Sequence, residues 1–389
     1  MGAAATLTPH ERTRQAVTAN GWRFALVLGG GGIKGLAHVG VFRALAERGW
    51  SPDVVVGNSI GALMAAAWAA DFTIPELEAV ALSMRRHDVF AVARSDMAVR
   101  RLRAPGIYKS EPLDNLLRGF LGDTTFDELP RRLVVASVDV NSGMAIYWGL
   151  PGLRDVAVAD AVFASCALPG FFPPREIRGH FLCDGALVDN LPVAVAATQD
   201  VDGIVAIDVG SASVLRAEVQ ESGFAAVVAR GSEIVFSTLM EMRLTSWTRP
   251  PMVLVQPRVE HVPMLSFAHN RELMDEGYRS TIAALDQAGD AMRVGASGIY
   301  PRRLVEIAVD RERCIGCRAC VAHGPPGTFT MDAEGKAVGP SEPQEWSPVS
   351  GGVIRHCPTY AITAHPAPAR TAAGGPTGGG SRGTARART

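Results

Sequence analysis

The chain has 389 residues, more than one ordinary domain needs, and suits two or three. Apolar residues make up 47% and charged residues 20%, which allows a large core and excludes a mostly disordered chain. A formal net charge of −1 gives no global pull toward nucleic acid or an anionic membrane, so no nucleic-acid partner is expected.

The first 20 residues carry Glu11, Arg12 and Arg14 and no apolar h-region. They read as a flexible leader rather than a secretory signal, and the expected location is cytoplasmic, at most peripheral to the inner membrane. From Phe24 to Leu28 a short apolar strand runs into Gly29-Gly30-Gly31-Gly32. Leu36, Val39, Val41, Phe42 and Leu45 then recur at near-helical spacing, and Gly49 ends the helix. Val54-Val55-Val56 is a second buried strand, closed by Gly57. The Ala-rich stretch from Ile60 to Ala70 is the longest apolar one, about half of what a bilayer requires. Further strand-like runs lie at Leu133–Val140, Ile204–Val209 and Met252–Val255, with helical segments between. Buried strands alternating with helices predict a mostly parallel sheet covered on both faces. A boundary is expected near Val294–Pro301, a compact second unit over residues 302–366, and a Gly- and Ala-rich disordered tail over 367–389.

Gly57-Asn58-Ser59-Ile60-Gly61 has the pattern G-x-S-x-G directly after a strand and before a helix. Such a turn needs small residues around the serine, exposes its hydroxyl and aims a helix N-terminus at it. The plain alternative is a glycine-bordered turn with a capping serine. Gly30-x-Gly32-x-x-Gly35 could open a dinucleotide site, but the second strand closes on Gly57 and runs into the serine turn, where a nucleotide site wants an acid. The other use of these glycines is to offer backbone N–H groups to an oxyanion, with Lys34 adding positive charge. A serine nucleophile also needs a base. None of the nine histidines stands clearly at a strand end, and His38 reads as a packing residue. Asp184, between Phe181-Leu182-Cys183 and Gly185-Ala186, is the better candidate, and Asp189 its competitor.

The run Gly29–Gly40, the Ser59 pentapeptide, Ala164-Ser165-Cys166-Ala167-Leu168-Pro169-Gly170-Phe171-Phe172-Pro173-Pro174, and Asp184-Gly185-Ala186 with Asp189-Asn190-Leu191-Pro192 follow one another in this order. Together, over about residues 22–290, they resemble bacterial patatin-like phospholipases. That resemblance implies a three-layer α/β/α fold with a mostly parallel sheet over residues 21–298. It also implies a Ser59–Asp184 dyad without histidine and an oxyanion hole from Gly30, Gly31 and Gly32, with Gly35, Gly57, Gly61 and Gly185 supporting the motifs. Lys34 stands where the family has arginine, Asn58 where threonine is common, and Ala186 where a glycine is common. The implied reaction is acyl transfer from a phospholipid or other acyl ester through an acyl-enzyme, with transient contact at the membrane surface. An acyltransferase on the same dyad, or an electron-transfer protein whose first domain only binds lipid, are the alternatives.

Four of the six cysteines fall in the last quarter: Cys314, Cys317 and Cys320 as C-x2-C-x2-C, and Cys357 before Pro358. In a cytoplasmic chain, such clustering points to metal. Gly324 replaces the cysteine that would serve a second cluster, and the other three places of that cluster hold Ser347, Ser350 and Val353. The segment resembles a single-cluster 4Fe–4S bacterial ferredoxin of small α+β fold, which implies one 4Fe–4S cluster on the four cysteines, in a structural or redox-sensing role with a redox partner. A four-cysteine zinc site is the alternative. Cys166 and Cys183 read as core residues.

Overall fold

The computed structural model describes residues 22–93, 106–210, 223–289 and 297–367. The expected leader and nearly all of the expected tail lie outside the described residues, as does part of the expected boundary. Strand β1 (Phe24–Leu28) is the centre of a nine-stranded sheet. Parallel neighbours are β2 (Val54–Gly57) and β3 (Leu133–Asp139) on one side, and β7 (Gly203–Ile207), β8 (Met252–Val255) and β9 (Ile299–Tyr300) on the other. Three antiparallel strands complete the β3 side: β4 (Ala145–Trp148), β5 (Arg175–Ile177) and β6 (His180–Asp184).

Strand side chains alternate between two cores. Phe24, Leu26, Leu28, Val55, Val205 and Ile207 enter one, while Ala25, Val27, Val54, Val56, Ile204 and Ala206 enter the other. With both faces covered, every strand position must be apolar, which is why β1, β2 and β7 read as unbroken hydrophobic runs. Each fully buried large side chain is worth roughly 1.5–3 kcal/mol. Helix α1 (Ala37–Glu47) and helix α9 (Asn270–Ala288) pack closely on the first face; Gly40 and Gly277 let the backbones approach, since a Cβ on Gly40 would lie 1.8 Å from Met274 O. The Ala-rich helix α2 (Ile60–Ala69) is buried along nearly its whole length, so small side chains suit it on every face. No helix among the described residues is long and apolar enough to cross a membrane.

A separate three-stranded sheet follows. Strand β10 (Arg303–Val309) pairs antiparallel with β13 (Gln344–Trp346) and β14 (Ile362–Pro366). Its own small core joins Val305, Ile307, Phe329, Trp346, Val353 and Ile362 to three of the clustered cysteines. This sheet-rich unit touches the larger one through Val349, which packs on the second core, and through an Arg355–Glu241 ion pair at 2.6 Å.

Candidate active site

Strand β3 brings the two key segments together. Gly57, the last residue of β2, is in register with Val135, and Asp184, the last of β6, is in register with Ser137, two residues further along. The chain leaves β2 through Asn58 and turns sharply at Ser59 (φ 54, ψ −129), a conformation that costs a non-glycine residue strain and holds its side chain clear of the backbone. Helix α2 begins at the next residue. Gly57 and Gly61 are required by contact: a Cβ on Gly61 would sit 2.1 Å from Leu28 O, and one on Gly57 2.5 Å from Ala62 Cα. Gly35 meets Ile60 in the same way, and Gly185 meets the Asn58 side chain.

Asp184 is 3% exposed, with Oδ1 accepting from the Ala186 N–H at 2.9 Å and from Asn58 Nδ2 at 3.1 Å. Burial pushes its carboxyl up to about 6, while hydrogen bonds from Ala186, the Ser59 side chain and Asn58 oppose the rise. The expected serine and aspartate therefore lie within reach of each other. His38 is fully buried, bonds Gly29 O at 3.0 Å, and is pushed down to about 4 by that burial, which fits the packing role expected of it. Asp189 is held elsewhere, by Arg243 at 2.6 Å and by the Leu191 N–H.

The glycine loop closes over Ser59; a Cβ on Gly30 would lie 2.9 Å from the Ser59 Cβ. Gly30 departs from expectation in one respect. Its N–H already donates to Asn190, to Oδ1 at 3.2 Å and to the carbonyl at 3.4 Å. The amides of Gly31 and Gly32 have no hydrogen-bond partner among the described residues, and both residues line the cavity. Lys34 is buried beside the same loop, where its charge is felt by Asp208.

Three residues carry more of the site than their sequence context suggests. Ser165 accepts the Ser59 N–H on its Oγ at 2.8 Å and is fully buried. Its place in the Ala164–Pro174 run is the only sequence signal. Asn190 accepts from Asn58 Nδ2 at 3.1 Å and donates to Gly30 O at 3.1 Å, so it ties the glycine loop to the serine turn. Cys166 packs against the core as expected and also lines the cavity; burial first, and then the neighbouring Asp184 charge, raise its thiol far above the ordinary value. Cys183 is a core residue as expected.

The cavity has a volume of about 150 Å3. Ser59, Asp184 and the glycine loop line it together with apolar side chains that include Leu63, Leu113, Phe90, Phe171, Phe172 and Phe267. Such a cavity suits an acyl chain whose carbonyl end is polar.

Residues 26–197 match the family of patatin-like phospholipases, and residues 307–350 match a 4Fe-4S single cluster domain. The chain carries a patatin-like phospholipase domain. An uncharacterized NTE family protein of Mycobacterium tuberculosis is 31% identical over 185 residues, 48% of this chain and 48% of the relative. The patatin-like phospholipase domain-containing protein 7 of Rattus norvegicus is 31% identical over 204 residues, 51% of this chain and 14% of the relative. The chain thus spans about half the length of the mycobacterial relatives it matches. The crystal structure of VipD from Legionella pneumophila aligns at 16% identity with a TM-score of 0.39, over 67% of this chain and 66% of that one.

The patatin-like domain match contains Ser59 and Asp184, and the cluster-domain match contains Cys314, Cys317 and Cys320; Cys357 lies seven residues beyond it. All four cysteines line one small cavity, three of them buried and Cys317 exposed. Backbone N–H groups aim at two of the sulfurs, from Ala337 to Cys314 Sγ at 3.4 Å and from Ala361 to Cys357 Sγ at 3.2 Å. Burial raises the Cys357 thiol, but hydrogen bonds from Ala361, Thr359 and Ile362 outweigh it and hold the thiol below its ordinary value. Among the described residues no three ligating side chains are gathered tightly enough for a single metal ion. The places of a second cluster are filled: the Ser347 and Ser350 hydroxyls lie 3.0 Å apart and Val353 is buried in the core. The residues present fit one iron–sulfur group bound by thiolates with N–H donors around it.

Proposed function

We propose that this chain is a serine-dependent lipid acyl hydrolase acting through a Ser59–Asp184 dyad. The observation that carries the proposal is the buried Asp184 carboxyl beside the strained Ser59 turn, at the polar end of an apolar cavity. Asp184 removes the Ser59 proton as Oγ attacks the ester carbonyl. Negative charge then grows on the former carbonyl oxygen, where the Gly31 and Gly32 amides donate to it. Asp184 returns the proton to the departing alcohol, and water releases the fatty acid by the reverse sequence. A carboxyl near 6 is ionised at neutral pH yet close enough to neutrality to accept a proton usefully, which an ordinary aspartate is not. Ser165 and Asn190 position the nucleophile and the glycine loop.

In this reading the chain divides near residues 298–302 into the hydrolase and the cluster unit. Cys314, Cys317, Cys320 and Cys357 hold one 4Fe–4S cluster, which supplies one-electron redox chemistry and a covalent staple. Ester hydrolysis moves a proton and an acyl group but no electron, so no step of it passes through the cluster; a unit this small gains stability from metal. The test is hydrolysis of soluble esters and mixed phospholipids by purified protein, with products identified by mass spectrometry. Released fatty acid that depends on Ser59 supports the proposal. Transfer of the acyl group to an added alcohol in preference to water would make the chain an acyltransferase, and inactivity of folded, cluster-loaded protein on every ester would overturn it.

A further inference from the structure

A second cavity, of about 190 Å3, lies where the cluster unit meets the larger one. Its walls differ in kind from those of the first. Asp208, Gln256, Arg258 and Glu260 come from the ends of β7 and β8, Glu241 from helix α8 (Phe224–Thr245), and Arg355 from the short helix α11 (Gly352–Arg355) two residues before Cys357. The two cavities share Asp208, Gly210, Ser237 and Met240 in their walls, so the polar one adjoins the apolar one. The shared wall abuts the glycine loop: a Cβ on Gly31 would lie 2.9 Å from the Val209 side chain, and one on Gly210 4.0 Å from Gly30 O. An ester carbonyl held at Gly31 and Gly32 with its acyl chain among Phe90, Phe171 and Phe172 therefore has the polar cavity on its alcohol side.

The charges there are arranged for a ligand of mixed sign. Glu241 is matched by Arg355 at 2.6 Å. Asp208 is 5% exposed, accepts from Gln256 at 3.2 Å and from the Gly210 N–H at 2.9 Å, and its carboxyl is pushed up to about 6 by burial. The Arg258 guanidinium and the Glu260 carboxylate have no partner among the described residues. They leave one cation and one anion without a counter-ion in a wall that also carries Arg355.

Resting on the hydrolase reading above, we propose that this polar cavity is the head-group subsite of the lipase, built in part by the cluster unit, and that it receives a phosphodiester carrying an amine. Arg258 and Arg355 take the phosphate, for which guanidinium is well shaped, and Glu260 takes the ammonium. The cluster unit then contributes to substrate choice through Arg355, whose helix is pinned next to a cluster cysteine.

The experiment compares full-length, cluster-loaded protein on mixed micelles of phosphatidylethanolamine and of diacylglycerol with the same acyl chains. The quantity read is the ratio of kcat/KM for the phospholipid to that for the neutral lipid. Arg258→Ala, which breaks no ion pair, should lower the ratio about tenfold through KM, the loss expected for one charge-assisted contact. Arg355→Ala should do the same, and Arg355→Lys should recover much of it. Glu241→Gln removes the bridge between the units but keeps Arg355, so the ratio should stay or rise. A ratio unchanged in both arginine variants would overturn the subsite, and a fall in Glu241→Gln equal to that in Arg355→Ala would remove Arg355 from it. Wild-type protein inactive on both lipids would instead overturn the hydrolase reading beneath it.

Discussion

The side-chain amide of Asn58 donates to Oδ1 of Asp184 at 3.1 Å, so the residue preceding the nucleophile in the chain is bonded to its base. This bond favours the charged carboxylate and holds down a carboxyl that burial would otherwise raise further. A threonine at position 58, common in the family resembled, could not span the same three groups: Asn58 also donates to Asn190 at 3.1 Å and accepts from Ser165 at 3.5 Å.

The first expected outcome concerns pH. The base must be ionised, so kcat/KM on a soluble ester should rise with pH, with its midpoint near the value of about 6 to which Asp184 is pushed, and level off above. Asn58→Ala removes a donor that favours the anion, so its midpoint should move upward and activity at pH 6 should fall more than activity at pH 8. A pH–rate profile checks both; a wild-type midpoint near 4, the ordinary carboxylate value, would contradict the burial argument.

Stability should respond in the opposite sense. The Asp184 carboxyl ionises near 3.8 in an unfolded chain and near 6 here, so ionisation opposes folding. The penalty is absent below about pH 4 and complete above about pH 6, and amounts to about 2–3 kcal/mol. Asp184→Asn should therefore unfold at higher denaturant than wild type at pH 7, and the gap should close by pH 4. A variant less stable than wild type at pH 7 would show that the carboxylate is better accommodated than its surroundings imply.

Ser165 offers a test of positioning. Its Oγ is the acceptor for the Ser59 N–H at 2.8 Å in a fully buried place. Ser165→Ala should leave that amide unsatisfied, cost about 1–3 kcal/mol of stability, and lower kcat by one to two orders of magnitude with little change in KM. Urea unfolding and steady-state kinetics give the two numbers. A change in KM alone would place Ser165 in substrate binding.

Iron content tests the cysteine assignment. Anaerobically purified protein should be brown and hold about four irons per chain, and Cys357→Ser, outside the matched cluster segment, should lose most of the visible absorbance. Stoichiometric zinc with no colour from iron-supplied cells would contradict it, as would about eight irons per chain.

Much of this was legible in the sequence because the central sheet is covered on both faces. Phe24–Leu28, Val54–Val56, Ile204–Ile207 and Met252–Val255 announce themselves as unbroken apolar runs, and the strand-to-helix turn at Ser59 follows from glycines that contact makes obligatory. The antiparallel strands Arg175–Ile177 and Ala145–Trp148 did not: the first is short and mixed in polarity, and the second, though apolar, is only four residues long and mostly half-buried. The roles of Ser165, Asn190 and Cys166 were also hidden. Each is set by which side chain a distant strand or helix end presents to Ser59, and spacing along the chain carries no record of that. The occupied Gly30 amide is a further case, since the acceptor lies on Asn190, far along the chain.

The central claim is that Ser59 is the nucleophile and Asp184 its base, and an activated phosphonate ester followed by peptide mass spectrometry tests it most directly. Cys166 lines the same cavity, which makes the site of labelling informative. The account expects one adduct per chain, on Ser59, formed at least a hundredfold more slowly in Asp184→Asn and absent in Ser59→Ala, about the scale on which members of such a unit act. An adduct on Cys166 or another residue, or undiminished labelling and ester hydrolysis in folded Ser59→Ala protein, would contradict it.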